Sequence, residues 1–240
     1  MAAIAESSRA GRDADRTPNR SSPSDAVQDY AKAIYSLGRR SEEAVSTSAL
    51  AERLDVAAAS ASAMVKRLES MGLARREPYH GVELTPAGER VALEVSRNHR
   101  LLELYLAEVL DMPWDRVHEE AEVLEHAISP ALSELIADKL GHPTHDPHGD
   151  PIPTASGEIE EGRSRPLGDL EPGQGGRFVR VSDSDPEVLR YLSSRGIAPG
   201  DRFEVVERQP FDGPLTVRFG SVEHVLGGVL LVMMRVEPDG

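Results

Sequence analysis

The chain has 240 residues, of which 39% are hydrophobic and 28% charged, and its formal net charge is −14. This composition describes a soluble globular protein, long enough for one large domain or for two to three small ones. No apolar run approaches the roughly 20 residues of a membrane helix, which excludes a membrane span. Because the chain has no cysteine, disulfides and thiolate metal sites are excluded, and any metal must be held by carboxylate, imidazole or carbonyl groups.

The acidic residues are unevenly distributed. Residues 25–100 contain 11 basic and 11 acidic side chains, whereas residues 101–160 contain 2 basic and 14 acidic ones. A strongly acidic protein is usually a poor partner for nucleic acid. The segregation nevertheless suggests separate roles for the two blocks, with cations as the natural partners of the second.

Residues 1–23 are rich in Arg, Ser and Asp and lack the apolar centre of a secretory signal, so we predict a disordered tail on a cytoplasmic protein. Residues 24–95 begin with a helix behind a Ser24 N-cap. The segments STSALAERL and ASASAMVKRLESMGL then predict a helix-turn-helix, and LARREPYHGVEL predicts a β-hairpin. This order of elements is typical of a winged helix-turn-helix domain.

The second helix of that motif is the expected recognition helix, because an exposed helix fits the major groove of DNA while the hairpin reaches the neighbouring backbone. Small residues would approach the base edges and cations would contact phosphates. The predicted DNA-binding residues are Ala59, Ser60, Ser62, Ala63, Lys66, Arg67 and Arg76. The alternative is a winged domain that serves only in protein interactions.

Residues 96–153 predict a helical dimerisation domain. A long helix from Thr85 to Leu110 and two shorter ones, over residues 115–127 and 130–140, carry more apolar residues than isolated helices can hide from water. A homodimer would present two recognition helices to a palindromic operator in double-stranded DNA.

The segment HEEAEVLEH, residues 118–126, contains the most metal ligand types. On a helix His118, Glu122, Glu125 and His126 share one face, whereas Glu119 points elsewhere. Clustered carboxylates without a basic neighbour repel one another unless a cation lies between them. From the spacing alone, a metal site and a solvated acidic face are equally supported.

The remaining residues predict a linker and a small β domain. Residues 154–166 are rich in Pro, Gly and Ser, and residues 167–240 contain short β-type runs around a helix in PEVLRYLSSRG. The predicted fold class is therefore mainly α with small β parts (α+β), ending in a small β-barrel.

Several collinear segments resemble one known family: DYAKAIYSL, VELTPAGE, RNHRLLELYL, HEEAEVLEHAIS and HGDPIP. Between about residue 25 and residue 153 the chain closely resembles the diphtheria toxin repressor family of metal-dependent transcriptional regulators. The resemblance implies that metal binding docks the DNA-binding domain on the dimerisation domain, promotes operator binding and controls metal-uptake genes. It also implies that the C-terminal domain is the SH3-like (FeoA-like) domain of the longer members.

The resemblance implies two metal sites. The primary site would consist of Asp29, Glu122, Glu125 and His126. The ancillary site would consist of His99, Glu103, His118 and Asp183, with Asp185 as the other candidate for the last ligand. A solvated turn is the alternative for these two aspartates.

The resemblance also indicates which metal is bound. Iron-type relatives carry Met and Cys where this chain has Asp29 and Glu122, and hard oxygen donors suit Mn(II). Fe(II) is the alternative effector, and Co(II) is a surrogate. Short manganese-type relatives carry Glu where this chain has Lys32, which argues against a closely spaced pair of metals. A metalloenzyme is the rival of another class, but no catalytic base beyond the ligands is apparent.

Overall fold

The computed structural model describes residues 23–39, 44–77, 81–160 and 162–239. The predicted N-terminal tail, except for its last residue, and most of the predicted Pro-Tyr-His-Gly turn lie outside this part of the chain. No helix of the described residues is both long and apolar enough to cross a membrane.

The N-terminal domain contains the predicted elements in the predicted order. They are α1 (Asp25–Gly38), α2 (Thr47–Arg53), α3 (Ala58–Ser70), β1 (Ala74–Glu77) and β2 (Gly81–Leu84). Val27, Ile34 and Leu50 are buried with Val65 and Leu68 in one core, as the helical spacing of these apolar residues requires. The two strands form an antiparallel hairpin in which Ala74 pairs with Leu84.

A double cap joins this hairpin to the next helix. Thr85 Oγ1 accepts a hydrogen bond from Gly88 N at 3.2 Å and donates one to Gly72 O at 2.7 Å. Gly72 has φ +71°, the left-handed conformation that ends many helices. The end of α3 and the start of the next helix are therefore held together through one hydroxyl group.

Helix α4 (Pro86–Leu110) is the longest element and belongs to two cores. Its first turns carry Ala87 and Val91 against the N-terminal core. Its second half packs Leu101, Leu102 and Leu104 against α5 (Val117–Leu124) and α6 (Pro130–Lys139). Helix α1 also packs on α4, so side chains from α1, α4 and α5 can meet.

The helix predicted over residues 115–127 is shorter in the structure and ends at Leu124. Glu125 is its C-cap residue, and its carbonyl oxygen accepts a hydrogen bond from the buried Asn98 side chain at 3.3 Å. Ala127 N bonds to Leu124 O at 2.9 Å, three residues back, which tightens the end of the helix. Glu125 and His126 therefore lie in a turn and not on the helix face that their spacing predicted.

The C-terminal domain is a six-stranded antiparallel sheet with two short helices. The strands are β3 (Arg165–Pro166), β4 (Gly175–Val181), β5 (Arg202–Arg208), β6 (Leu215–Phe219), β7 (Val222–Leu226) and β8 (Met234–Pro238), with α7 (Pro186–Ser193) after β4 and α8 (Leu230–Met233) before β8. Their order across the sheet is β3-β8-β4-β5-β6-β7. Phe178, Leu189, Leu192 and Leu215 lie in its core.

Two details of this domain differ from the sequence prediction. The run VLLVMMRVE was expected to be extended, but its first half forms α8. Leu231 in this helix approaches Gly168 of a 3-10 turn so closely that a side chain at Gly168 would contact it. Strand β7 was not predicted, because its apolar residues Val222, Val225 and Leu226 do not alternate regularly with polar ones, and the first two are exposed.

A loop at residues 145–151 forms a contact between the helical domain and the C-terminal domain. His148 O accepts a hydrogen bond from Val181 N at 2.9 Å. Gly149 has φ +87°, and a Cβ atom there would lie 1.9 Å from Val179 O. Only glycine permits this approach of two backbones.

We therefore expect Gly149→Ala to destabilise the contact between the two domains by about 3 kcal/mol, since it adds a backbone clash to the strain of positive φ. Calorimetric unfolding and amide exchange at Val181 would measure the loss. Gly173→Ala is the matched control, because Gly173 has φ +85° but no atom within 4 Å of an added Cβ, so only about 1 kcal/mol of strain is expected. Equal losses in the two variants would contradict the proposed clash.

Candidate metal centre

The predicted ligands converge where α1, α5 and the C-terminal domain meet α4. Asp29 lies on α1, His99 and Glu103 on α4, and His118 and Glu122 on α5. Glu103 and Glu125 are completely buried, with side-chain exposures of 1% and 0%. Two buried carboxylates need compensating charge, because desolvation of an ion costs several kcal/mol.

Three of the four predicted primary ligands come together. Asp29 Oδ1 lies 2.9 Å from His126 Nε2, which lies 3.5 Å from Glu125 Oε1. Burial raises the pKa of Asp29 above its ordinary value, with the neighbouring Glu125 and Glu122 adding to the shift and His126 opposing it. The positive charge of Lys32 also opposes the shift but does not cancel it, so the charged form of Asp29 is disfavoured mainly by burial.

Gln28 orients the imidazole of this cluster. Its Oε1 lies 2.8 Å from His126 Nδ1, and an amide oxygen can only accept, so Nδ1 carries the proton. In the neutral imidazole the lone pair is then on Nε2, which faces Asp29 and Glu125. A second hydrogen bond that fixes the tautomer is the usual support of a metal-binding histidine, and sequence reasoning did not identify this residue.

The fourth predicted primary ligand, Glu122, is held by a lysine. Lys32 Nζ donates to Glu122 Oε1 at 2.8 Å and to Glu125 Oε2 at 2.7 Å. Burial works against ionisation of Glu122, yet the Lys32 ammonium group, helped by His99 and His118, holds the pKa of Glu122 below its ordinary value. The sequence prediction treated Lys32 only as a missing ligand, whereas the structure places its charge inside the cluster.

All four predicted ancillary ligands lie together. Glu103 Oε1 is 3.0 Å from His99 Nε2 and 3.2 Å from His118 Nδ1. Asp183, in the turn after β4, brings Oδ2 to 2.9 Å from His118 Nδ1. Asp185, the other candidate, caps α7 through a hydrogen bond from Glu187 N to its Oδ1.

The same contacts shift the pKa values of the ancillary group. Hydrogen bonds to Asp183 and Glu103 raise the pKa of His118 to about 10. Although burial opposes it, the bond to His118 lowers the pKa of Asp183 to about 2. Burial disfavours the charged form of His99 too, but Glu103 and Glu125 raise its pKa to about 9. The metal-free cluster therefore stores protons that a bound cation would release.

Two further donors were missed by sequence reasoning: Asp146 and His148, from the loop at residues 145–151. His148 Nδ1 lies 3.8 Å from Glu103 Oε2, and within the described part of the chain neither atom has a hydrogen-bond partner, although both are buried. His148 Nε2 donates to Trp114 O at 2.8 Å. The segment HDPHGD was the available signal, but only its last three residues entered the sequence prediction, as the start of the family motif HGDPIP.

These orphaned atoms test whether the site suits a cation. Although burial opposes it, Glu103 raises the pKa of His148 to about 9, so Nδ1 carries a proton that a cation would displace. Once neutral, with Nε2 donating to a carbonyl, His148 offers a free lone pair on Nδ1, and Glu103 Oε2 offers another. Ligand atoms of Glu103, Asp146 and His148 all lie within 4.8 Å of one another. Burial and the nearby Glu103 raise the pKa of Asp146 well above its ordinary value. The donor set fits a divalent cation with oxygen and imidazole ligands.

Six of the seven predicted DNA-binding residues lie on α3, and Arg76 lies on β1. Six of the seven are exposed, and Ser62 is half-buried. Ala61, Val65 and Leu68 on the inner face of α3 are buried. The exposed side of α3 therefore carries small residues with two cations near its C-terminal end, and the roles predicted for them stay predictions.

Three family models match the chain in sequence order. Residues 24–82 match the model described as "Iron dependent repressor, N-terminal DNA binding domain". Residues 85–154 match "Iron dependent repressor, metal binding and dimerisation domain", and residues 165–238 match "FeoA domain".

Whole proteins resemble the chain over nearly the same length. The iron-dependent repressor IdeR of Mycobacterium tuberculosis is 38% identical over 235 residues, which cover 89% of this chain and 97% of that protein. The diphtheria toxin repressor of Corynebacterium diphtheriae is 32% identical, with coverages of 89% and 97%. A solved manganese-dependent transcriptional repressor in complex with manganese has a TM-score of 0.81 and 42% identity, with coverages of 88% and 98%. The manganese regulator SloR has a TM-score of 0.71 and 30% identity, with coverages of 89% and 98%.

The His118–Asp183 pair predicts a specific pH dependence. The pKa of His118 in the folded protein, about 10, lies above its pKa in the unfolded chain. The contribution of protonated His118 to the free energy of unfolding is therefore complete below about pH 6.5 and is lost as the pH rises through about 10. We expect the free energy of unfolding of the metal-free protein to fall between pH 7 and 10, and to fall less steeply in Asp183→Asn.

Thermal unfolding at a series of pH values measures this effect. Asp185→Asn is the matched control, since asparagine still caps α7 and the Asp185 carboxylate accepts from Glu187 N, whereas the His118 ion pairs found in the described residues go to Glu103, Glu122 and Asp183. Parallel stability curves for wild type and Asp183→Asn would show that the pair contributes nothing.

Proposed function

Because the chain belongs to the diphtheria toxin repressor family of metal-dependent transcriptional regulators, we propose that it is a manganese-dependent repressor that controls metal-uptake genes. The observation that carries this proposal is the contact of Asp29 with His126 and Glu125. One donor comes from the DNA-binding domain and two come from the metal-binding and dimerisation domain. Cation binding and domain docking therefore use the same groups.

The proposed primary site consists of Asp29, Glu122, Glu125 and His126. A divalent cation supplies the positive charge that allows carboxylates of both domains to share one site. Gln28 holds the His126 ring in the tautomer that presents Nε2. Oxygen donors outnumber nitrogen donors three to one, and none is sulfur, which favours Mn(II) over softer metals.

The proposed ancillary site consists of His99, Glu103, His118 and Asp183, and we add Asp146 and His148 as donors on the other side of Glu103. Glu103 Oε1 faces His99 and His118, whereas Oε2 faces His148. This second group draws on the C-terminal domain through Asp183. It joins the C-terminal domain to α4, whose first turns pack against the N-terminal core.

The proposed mechanism is a coupling of site geometry to domain orientation. Asp29 reaches His126 only when α1 lies against α4 and α5. The same docking fixes the position of α3, which shares a core with α1. Any change that holds these donors together therefore also favours the arrangement of recognition helices that fits the operator. By linkage, binding of operator DNA favours the arrangement that holds the donors together.

The proposed assembly is a homodimer on double-stranded operator DNA. Apolar residues of the helical domain remain exposed in the single chain, notably Leu110, Val123 and Leu135, with Val123 73% exposed. Their burial between two copies would stabilise the dimer at roughly 25 cal/mol per Å². The relatives are repressors, so we propose a regulator that acts on DNA in the cytoplasm and not a metalloenzyme.

Fe(II) is the second candidate effector. The relatives from mycobacteria are described as iron-dependent, and the imidazole-rich ancillary group would also accept iron. Titration of operator binding with Mn(II), Fe(II) and Co(II) separates the two candidates.

The central test is operator binding with and without Mn(II), with duplexes selected from a random library. We expect the wild type to bind at least about tenfold more tightly with Mn(II), a coupling in the usual range for allosteric proteins. Glu122→Cys should move the order of effective metals toward Co(II) and Fe(II), because a thiolate is a softer ligand.

Glu120→Cys is the matched control, since Glu120 is exposed on the same helix and each variant would carry one cysteine. Equal operator affinity with and without metal in the wild type would refute the coupling. An unchanged order of metals in Glu122→Cys would refute the assignment of Glu122.

Substitution of His148 tests the added ancillary donors. We expect His148→Gln to weaken the ancillary class of Mn(II) sites at least about tenfold, the usual effect of losing a ligand contact, and to leave the primary class unchanged. The measurement is equilibrium dialysis together with the fluorescence of Trp114, whose ring stacks on His148 at 5.7 Å. His145→Gln, at an exposed position of the same loop, is the control, and equal binding by both variants would remove His148 from the ligand set.

A further inference from the structure

Lys32 occupies the centre of a group of donor atoms. Its Nζ lies 2.8 Å from Glu122 Oε1, 2.7 Å and 3.0 Å from the two oxygens of Glu125, and 3.2 Å from His99 Nδ1. Ligand atoms of His99, Glu122 and Glu125 lie within 4.8 Å of one another and could by themselves hold a cation. The ammonium group is thus a cation supplied by the chain itself.

The buried Glu125 depends on this cation. Its side chain is completely buried, and among the described residues Lys32 is the only lysine or arginine within salt-bridge distance of it. His99 also contacts Glu125, through Nδ1 and Oε2. Because Lys32 lies on α1 and Glu125 follows α5, this ion pair joins the same two domains as the proposed primary metal site.

The ammonium group and a metal ion compete for the same oxygens. Lys32 holds both oxygens of Glu125 and one oxygen of Glu122, and both residues are proposed primary ligands. A divalent ion needs these lone pairs, and two cations at one carboxylate repel each other. The lysine side chain is long, flexible and 19% exposed, so its ammonium group can reach water when its partners are taken.

We infer that Lys32 is a resident cation which holds the DNA-binding domain against the dimerisation domain without metal, and which Mn(II) must displace from Glu122 and Glu125. Lys32 thereby sets the metal concentration at which the chain responds. The inference rests on the proposed function, because it concerns the regulation of the primary site. It adds that, without metal, an ion pair keeps the two domains in contact, and that metal binding exchanges one cation for another. The exchange still matters for the operator, because in the described residues the ion pairs of Lys32 reach Glu122 and Glu125 but not Asp29 or His126, whereas Mn(II) would draw all four proposed primary ligands onto one ion.

Lysine labelling tests the displacement in the unmodified protein. The chain has three lysines, Lys32, Lys66 and Lys139, and the last two are exposed. We expect an amine-reactive acetylating reagent, read by mass spectrometry, to label Lys32 slowly without metal and at least about fivefold faster with saturating Mn(II), as its ion pairs are lost. Lys66 and Lys139 should react equally in both conditions. Unchanged labelling of Lys32 would overturn the displacement.

Lys32→Met tests the threshold, since methionine keeps an unbranched side chain, one atom shorter, and removes the charge. We expect direct Mn(II) binding, measured by calorimetry, to be at least about tenfold tighter than in wild type because the competing cation is gone. Amide exchange in α1 of the metal-free variant should be faster, because the ion pair to Glu125 is lost. Lys139→Met, at an exposed position of α6, should change neither quantity.

The outcomes separate this inference from the proposed function. Equal or weaker Mn(II) binding by Lys32→Met, in a protein whose wild type still responds to Mn(II), would overturn the role of Lys32 alone. Failure of the wild type to couple Mn(II) to operator binding would overturn the proposed function, whatever Lys32 does. Tighter Mn(II) binding together with faster exchange in α1 would support both parts of the inference.

Discussion

The burial of two carboxylates, Glu103 and Glu125, beside α4 is the constraint on which the rest of the site depends. An ion of this kind loses its hydration, and only nearby opposite charge or good hydrogen bonds can compensate. Glu125 receives this compensation from Lys32 and His99, and Glu103 receives it from His99 and His118. Each of these partners either carries a removable proton or sits on a flexible side chain. The metal-free protein is therefore stabilised by cations that another cation can replace.

Helix α4 connects the charges around Glu103 and Glu125 to the packing of both helical domains. At 25 residues it is about 37 Å long, from a rise of 1.5 Å per residue, and it contributes to the cores of both helical domains. His99 and Glu103 lie in its second half, next to α1 on one side and α5 on the other. A change of charge at this point acts on the packing of α1, and α1 shares a core with the recognition helix.

The helices, the hairpin and their order could be predicted because apolar periodicity and caps such as Thr85 are local signals. The resemblance also named the members of the ancillary group, with Asp185 as the alternative to Asp183. The structure brings the four side chains together, and their role as a metal site stays a prediction. The position of Lys32 was not predictable, because its contact with Glu125 joins residues 93 positions apart and no local pattern records it. Glu125 and His126 were expected on a helix face, but the buried Asn98 side chain takes the Glu125 carbonyl oxygen and the helix ends there.

The C-terminal domain belongs to the same electrostatic unit. Asp183 pairs with His118, and two residues earlier Val181 N binds the carbonyl oxygen of His148, whose ring faces Glu103. The domain is therefore connected to Glu103 in two ways. The carboxylate of Asp183 pairs with His118, which contacts Glu103, and strand β4 holds the loop that carries His148, whose close approach depends on Gly149. Removal of the domain would take away the Asp183 charge and the support of His148 together. Glu103 would then keep its buried charge with fewer partners, so the domain is best regarded as part of the proposed metal centre.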